Sequence, residues 1–441
     1  MSIKGKAYIA GAYEHPTRLA KDKSVAQLHA EAALGALRDA GLTKADVDGY
    51  FCAGDAPGLG PIAMVDYMGL TLKHYDSTDV GGCSYIAHVA HAAEAIAAGK
   101  CKVALITLAG RPRSEGHSGA TPRMRGADAP DTQWEFPLGV ATVNAYAMVA
   151  ARHMHQFGTT AEQLAWVKVA ASHHAQYNEH AMLRDVVTVE QVVGSPLIAT
   201  PLHRLDCCVV SDGGGALVVV APEIAKSLKR PLVKVLGAGE IDQGPDGRRR
   251  RPDLFRRRAQ RPAAFAEAGV KPGDIKYASI YDSFTITVVV QLEDIGFCEK
   301  GQGGRFVADG NLISGVGKLP FNTDGGGLCN NHPANRGGIT KVIEAVRQLR
   351  GEAHPKVQVP MQSGAGAWHR RAARQPARRR HAHHGTGVIR MAAKERAIPA
   401  PGVNPETAPF WAAAKEGNSS SSAAPPATRR IGIRARPART A

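Results

Sequence analysis

At 441 residues, with 44% hydrophobic residues and a formal net charge of +16, the chain has length for two or three domains and apolar content for a real core. No run approaches the ~18 apolar residues of a membrane span. Met1 to Tyr13 carries only a short apolar stretch, so neither a signal peptide nor a membrane partner is expected. Seven cysteines without a C-x-x-C pair fit a reducing, cytoplasmic setting better than a disulfide framework.

The charge is concentrated. Arg248 to Arg261 carries +7 and Met361 to Ala441 carries +12, which leaves −3 for everything else. Neither segment interleaves aromatics with its basic residues, as a single-strand binder does, so no nucleic-acid partner is expected.

Hydrophobic periodicity predicts, in chain order, a strand at 7–12, a helix at 25–40, a strand at 47–53, a helix at 84–98 and strands at 103–108 and 216–220. Further on it predicts a strand at 233–236, a helix at 262–268, a strand at 277–281, helices at 286–295 and 339–349, and a strand at 357–359. A long insertion, 112–201, holds two more helical stretches at 141–156 and 161–174. Strands alternating with helices imply an α/β fold with mixed, mostly parallel sheets. The segment from Ala36 to Val47 parallels that from Ala264 to Ile275, each a helix end, a glycine cap, a turn and a strand start. The copies lie 228 residues apart, which predicts a duplicated α/β unit.

Two motifs carry chemistry. Gly81, Gly82, Cys83 and Ser84 open an alanine-rich helix that ends at Gly99. A cysteine in such a helix is more often a small buried hydrophobe, but a thiol at a helix N-terminus meets unpaired N–H groups and the positive end of the dipole, which favour thiolate. Asn331, His332 and Pro333 form a turn ahead of a second helix and offer an oxyanion donor or an acid/base. The triplets at 213–215 and 325–327 are not phosphate loops, because no Gly-Lys-Ser/Thr follows; they read as sites of close backbone packing. His88 and His91 share a helix face, lack a neighbouring acid or cysteine in sequence, and read as packing.

Together with Ala150 to Met154, Gly158 to Thr160, Pro201 to Cys207, Ser211 to Gly213 and Tyr281 to Phe284, these motifs resemble the thiolase superfamily over roughly 3–360, specifically its sterol-carrier-protein-type branch. The resemblance implies a thiolase fold: two α/β halves related by a pseudo-twofold, 1–223 with the insertion and 224–362, usually in a homodimer. It implies an acetyl-CoA acetyltransferase-like enzyme that makes or breaks C–C bonds of an acyl-CoA through an acyl-enzyme on Cys83, with His332 as activator or oxyanion donor. The coenzyme A thioester is then substrate, and no bound cofactor or metal is implied. Where the branch resembles His-Asp-Cys-Phe, this chain has Tyr281, Asp282, Ser283 and Phe284. Serine is a very poor base at neutral pH, so Tyr281 becomes the candidate acid/base. Thiolase-like aldolases that cleave hydroxyacyl-CoA use tyrosines in such a site, so a retro-aldolase is the alternative. A non-catalytic scaffold for an OB-fold acyl-CoA-binding partner is a third reading.

Beyond Pro360 the sequence turns Arg/Ala/Gly-rich and loses periodicity, which reads as a basic disordered tail at 363–441 or as a frameshift. Met361-Gln362 is encoded ATG-CAR, and one base later the frame opens on a cysteine codon and can continue into a glycine-rich, thiolase-like last loop. Met391 resembles a new start, and 418–429, similarly shifted, can read as the zinc-ribbon entrance of the OB-fold proteins encoded beside such thiolases. Arg256 to Arg261 shifts likewise to a Ser/Gly-rich run.

Overall fold

The computed structural model describes residues 2–117, 119, 138–240, 261–333, 337–360 and 408–415. The frame-shift expectations at 256–260, 361–407 and 416–441 lie outside these residues. The chain divides into two units, Met1–Ala20 with Val25–Arg378, and Lys21–Ser24 with Arg379–Ala441; the described helix of the second is Ala408–Lys415.

The first unit is built on a six-stranded sheet. Its strands are β1 (Tyr8–Glu14), β2 (Gly49–Phe51), β3 (His74–Asp76), β4 (Val103–Gly110), β7 (Gly213–Val220) and β8 (Val233–Lys234), in the spatial order β3-β2-β4-β7-β1-β8. A hairpin of β5 (Leu197–Ala199) and β6 (Leu202–His203) stands apart. The sheet is mixed, as expected, but among the described residues the parallel majority is not observed. β2 pairs in parallel with β3 and β4, whereas β4–β7, β1–β7 and β1–β8 are antiparallel. Among the described residues, the second half of the chain adds only β8 to this sheet.

Strands β4 and β7 are buried at every residue, which is why their sequences read as nearly continuous apolar runs. Alternate side chains serve opposite faces. Leu105, Ala216 and Val218 pack under helix α1 (Val25–Ala40), which contributes Ala32, Ala33, Ala36 and Leu37. Ile106, Leu108, Leu217 and Val219 face helices α3 (Ser84–Ala97) and α12 (Gly338–Arg350) through Tyr85, Val89, Ile339, Val342 and Ile343. Each large aliphatic side chain buried this way stabilises the fold by about 1.5–3 kcal/mol. The order of helices between is α2 (Pro61–Met68), α4 (Thr142–Phe157), α5 (Ala161–Ala175), α6 (Val189–Val193), α7 (Pro222–Ala225), α8 (Arg261–Ala268), α9 (Thr285–Ile295), α10 (Gly303–Val307) and α11 (Gly326–Cys329).

The insertion helices do not form a separate core. Leu164, Val167 and Ala171 of α5 pack with Ile286, Val289 and Leu292 of α9 and with Phe321 and Leu328. Helix α5 is started by a capping box: Thr160 Oγ1 accepts from the Gln163 N–H at 3.3 Å, and Gln163 Oε1 accepts from the Thr160 N–H at 3.2 Å.

The internal repeat is reproduced in three dimensions. Helix α1 ends on Gly41 (φ 71°) with the Leu42 N–H donating to the Leu37 carbonyl; α8 ends on Gly269 (φ 75°) with the Val270 N–H donating to the Phe265 carbonyl. In both copies an aspartate then closes a short 3₁₀ turn: Asp46 accepts from the Thr43 N–H and Asp274 from the Lys271 N–H.

Two expected strands are absent. At 277–281 only Ala278 makes a bridge, to Phe321, because the Asn322 side chain satisfies both the N–H and the carbonyl of Ile280 at 2.8 Å. At 357–359 the Gln348 side chain takes the Val357 carbonyl at 3.0 Å and the Val359 N–H at 2.9 Å. In each case one amide side chain replaces a strand neighbour. Among the described residues, no helix is long and apolar enough to cross a membrane.

Candidate active site

Cys83 is the N-cap residue of α3 and is 2% exposed. Its carbonyl accepts from the N–H groups of Ile86 and Ala87, both at 3.1 Å. Ser84 ties down the loop before it: its Oγ donates to the Gly81 carbonyl at 2.7 Å and accepts from the Val80 N–H at 2.9 Å. The absence of a side chain on Gly82 is a spatial requirement. A Cβ there would lie 2.0 Å from Cζ and 2.2 Å from Oη of Tyr281. The phenol tip of Tyr281 therefore rests on the residue next to the thiol.

The other end of that contact is His332. Tyr281 Oη and His332 Nε2 are 2.8 Å apart. Burial depresses the imidazole to a pKa of about 4 and pushes the phenol well above its ordinary value. At neutral pH both groups are uncharged, so the bond is Tyr281 O–H donating to Nε2, with the ring proton on Nδ1. Nδ1 has no hydrogen-bond partner among the described residues.

His332 is positioned by the first half of the chain. Its N–H donates to Ser211 Oγ at 2.8 Å, and Ser211 Oγ donates to Asn331 Oδ1 at 2.6 Å. Asn331 Nδ2 in turn donates to Glu14 Oε1 at 3.0 Å. Burial alone would raise the Glu14 pKa, but Arg18 and Arg347 outweigh it and hold the carboxyl at about 2. The asparagine that stands where the related motif has glycine thus bridges β1 to the histidine loop.

Beneath the site, Asp282 is fully buried. It accepts from the Gly327 N–H at 2.8 Å and the Leu328 N–H at 3.2 Å, and pairs with Lys341 Nζ at 2.9 Å. Burial opposes the charge on Lys341, but Asp282 and Asp324 prevail and its pKa rises. The glycines at 325–327 serve close packing, as expected: a Cβ on Gly326 would lie 2.1 Å from Asp282 Oδ2.

The structure therefore brings Tyr281 and His332 into contact and sets Tyr281 against the loop carrying Cys83. Sequence reasoning missed Tyr146 of α4. Its ring stacks on Phe284 with centroids 4.3 Å apart, its phenol lies near Ser283, and it interacts electrostatically with Cys83 and Tyr281. Burial raises its pKa to about 12. Nothing in the local sequence marks this tyrosine, because it meets its partners only through tertiary packing. The packing reading of His91 is corrected: it pairs with Asp76 at 2.7 Å and Glu240 at 2.8 Å, both distant in sequence, and these carboxylates raise its pKa to about 9.

The chain is similar to several known proteins. The family described as "Thiolase C-terminal domain-like" matches residues 249–372. An acetyl-CoA acetyltransferase of Methanothermobacter thermautotrophicus is 35% identical over 340 residues, covering 75% of this chain and 88% of the relative. A steroid side-chain-cleaving aldolase of Thermomonospora curvata is 36% identical over 362 residues, covering 79% and 91%. The solved Ltp2-ChsH2(DUF35) aldolase superposes with a TM-score of 0.70 at 35% identity, covering 81% of this chain and 93% of that one. The relatives place the chain in the thiolase superfamily, to which it belongs.

Proposed function

We propose that this protein makes or breaks the Cα–Cβ bond of an acyl-CoA thioester, with Cys83 as acyl acceptor and the Tyr281–His332 pair as its proton-transfer unit. The observation that carries the reading is the 2.8 Å bond between Tyr281 and His332, held against Gly82 beside the thiol. In the thiolase direction the Cys83 proton passes to this pair and Sγ bonds to the β-carbonyl carbon. The Cα–Cβ bond then breaks with its electrons going to Cα, and the enolate takes a proton. Coenzyme A collects the acyl group from the sulfur. Both partners are substrates, and the route uses no bound cofactor.

A retro-aldol reading is favoured by a separate observation. Position 283 carries serine, hydrogen-bonded to Thr287 at 3.2 Å, and cannot act as the base of a Claisen cycle. The neutral Tyr281–His332 pair is suited to removing the proton of a β-hydroxyl instead, which forms the carbonyl as the Cα–Cβ bond breaks; Cys83 then takes no acyl group. Intact mass and turnover with β-ketoacyl-CoA and β-hydroxyacyl-CoA separate the two. The thiolase route requires an acyl adduct lost in Cys83→Ala. Full turnover in Cys83→Ala, with loss in Tyr281→Phe, would replace it by the aldolase.

The two-component Ltp2-ChsH2(DUF35) aldolase supports a partner subunit for this chain, and we assign that partner to the OB-fold, zinc-ribbon class. Homodimerisation is assigned to the edge strand β3, whose Tyr75 is 56% exposed. Light scattering of the chain alone and with such a subunit tests both.

A further inference from the structure

The proposed chemistry leaves one step without a residue. Whether the Cα–Cβ bond breaks by the thiolase or the aldol route, its electron pair goes to Cα, and the resulting enolate must gain a proton. Ser283, at the position of the branch's acid/base cysteine, is too weak an acid to supply it. Tyr281 and His332 already handle the proton on the β side.

Tyr146 interacts electrostatically with Tyr281. It comes from α4, in the insertion, and stacks on Phe284, the residue following Ser283. Its phenol lies near Ser283 and interacts electrostatically with Cys83. Ser283 is itself held by Thr287. The residue as a whole is half-buried, whereas Tyr281 is buried. The site thus has two phenols with different neighbours: one on an imidazole, one near a serine.

We propose that Tyr146 is a second catalytic residue, the acid/base at the acyl-CoA α-carbon, oriented by Ser283 and Phe284. In the cleavage direction the O–H bond of Tyr146 breaks, a C–H bond forms at Cα, and the phenolate recovers its proton from water. In the reverse direction water first takes the proton of the Tyr146 phenol, and the phenolate so formed removes the α-proton. This inference rests on the acyl-CoA C–C bond reading above and holds for both of its routes.

The test is α-hydrogen exchange. The full-length enzyme is incubated with propionyl-CoA in deuterated buffer, and deuterium at Cα is read by mass spectrometry beside turnover of the cleavage substrates. Wild type exchanges. Tyr146→Phe keeps the ring stack and loses exchange by about 100-fold or more, the scale of one general acid–base residue, while Tyr281→Phe retains exchange and loses cleavage. Ser283→Ala, which leaves the tyrosine in place, also slows exchange and serves should Tyr146→Phe misfold. Exchange at the wild-type rate in folded Tyr146→Phe, or in Ser283→Ala should the former misfold, overturns this assignment alone. A wild type with neither exchange nor cleavage overturns the acyl-CoA reading and this assignment with it.

Discussion

Substituting Gly82 by alanine tests the geometry of the site without removing any reacting group. The new methyl would sit 2.0 Å from Cζ and 2.2 Å from Oη of Tyr281, where ordinary contact begins at 3.4 Å. The ring must withdraw by about 1.4 Å for its contact energy to recover. A 2.8 Å bond to His332 cannot survive a displacement of that size. Backbone strain does not confuse the result, since the φ of Gly82 lies outside the left-handed region. Overpacking of this kind costs about 1–3 kcal/mol of stability, and loss of one acid–base pair costs about 100-fold or more in kcat. The assay is steady-state cleavage of acyl-CoA alongside a thermal melt. In a Tyr281→Phe background the added Gly82→Ala should lower activity little further, because the pair it disrupts is already gone. A folded Gly82→Ala enzyme with kcat near that of wild type would refute the claim that the Tyr281–His332 contact moves protons.

Two further outcomes follow from the buried charges. Lys341→Met leaves Asp282 buried without its counter-ion, so unfolding in urea at neutral pH should reveal a loss of about 3–5 kcal/mol; an unchanged midpoint would show that the ion pair is not structural. Hydrogen bonds donated to Asp76 and Glu240 raise His91 from 6.5 to about 9, so its contribution to stability is complete below pH 6.5 and is lost as pH rises through about 9. Thermal melts across that interval should decline in wild type and flatten in His91→Gln.

Much of the architecture was legible because it rests on local pattern. Helix α1 was expected at 25–40 and is observed at Val25–Ala40; β4 and β7 announce themselves as unbroken apolar runs. The repeat was legible because a glycine cap and a turn aspartate are both local devices. The failures share a cause. The strands expected at 277–281 and 357–359 were displaced by Asn322 and Gln348, side chains whose reach to a distant backbone no sequence window contains. Short α2, β3, α6 and α11 give too few residues for a period to register. Within the site, Cys83, His332 and Tyr281 stood out because each sits in a motif, whereas Tyr146 has no local mark and is identified only by the stack on Phe284.

The protonation states explain how such a site is held ready. Burial, not a neighbouring charge, is the largest influence on both Tyr281 and His332, and it drives them in opposite directions: the phenol keeps its proton and the imidazole refuses one. A neutral donor on a neutral acceptor is inert in the resting enzyme, since moving the proton would create two buried charges. Charge developing on a bound thioester or β-hydroxyl changes that balance locally, and the transfer becomes favourable only there. The Asp282–Lys341 pair beneath the ring acts in the same sense, because Asp282 favours an imidazolium and Lys341 opposes it, so His332 feels nearly compensated charge from below. The helices converge tightly for a related reason: a Cβ on Gly338, at the start of α12, would meet the Gly82 carbonyl at 2.0 Å. Proton transfer tolerates little slack in donor–acceptor distance, and two helix N-termini in backbone contact give the Cys83 loop little room to move.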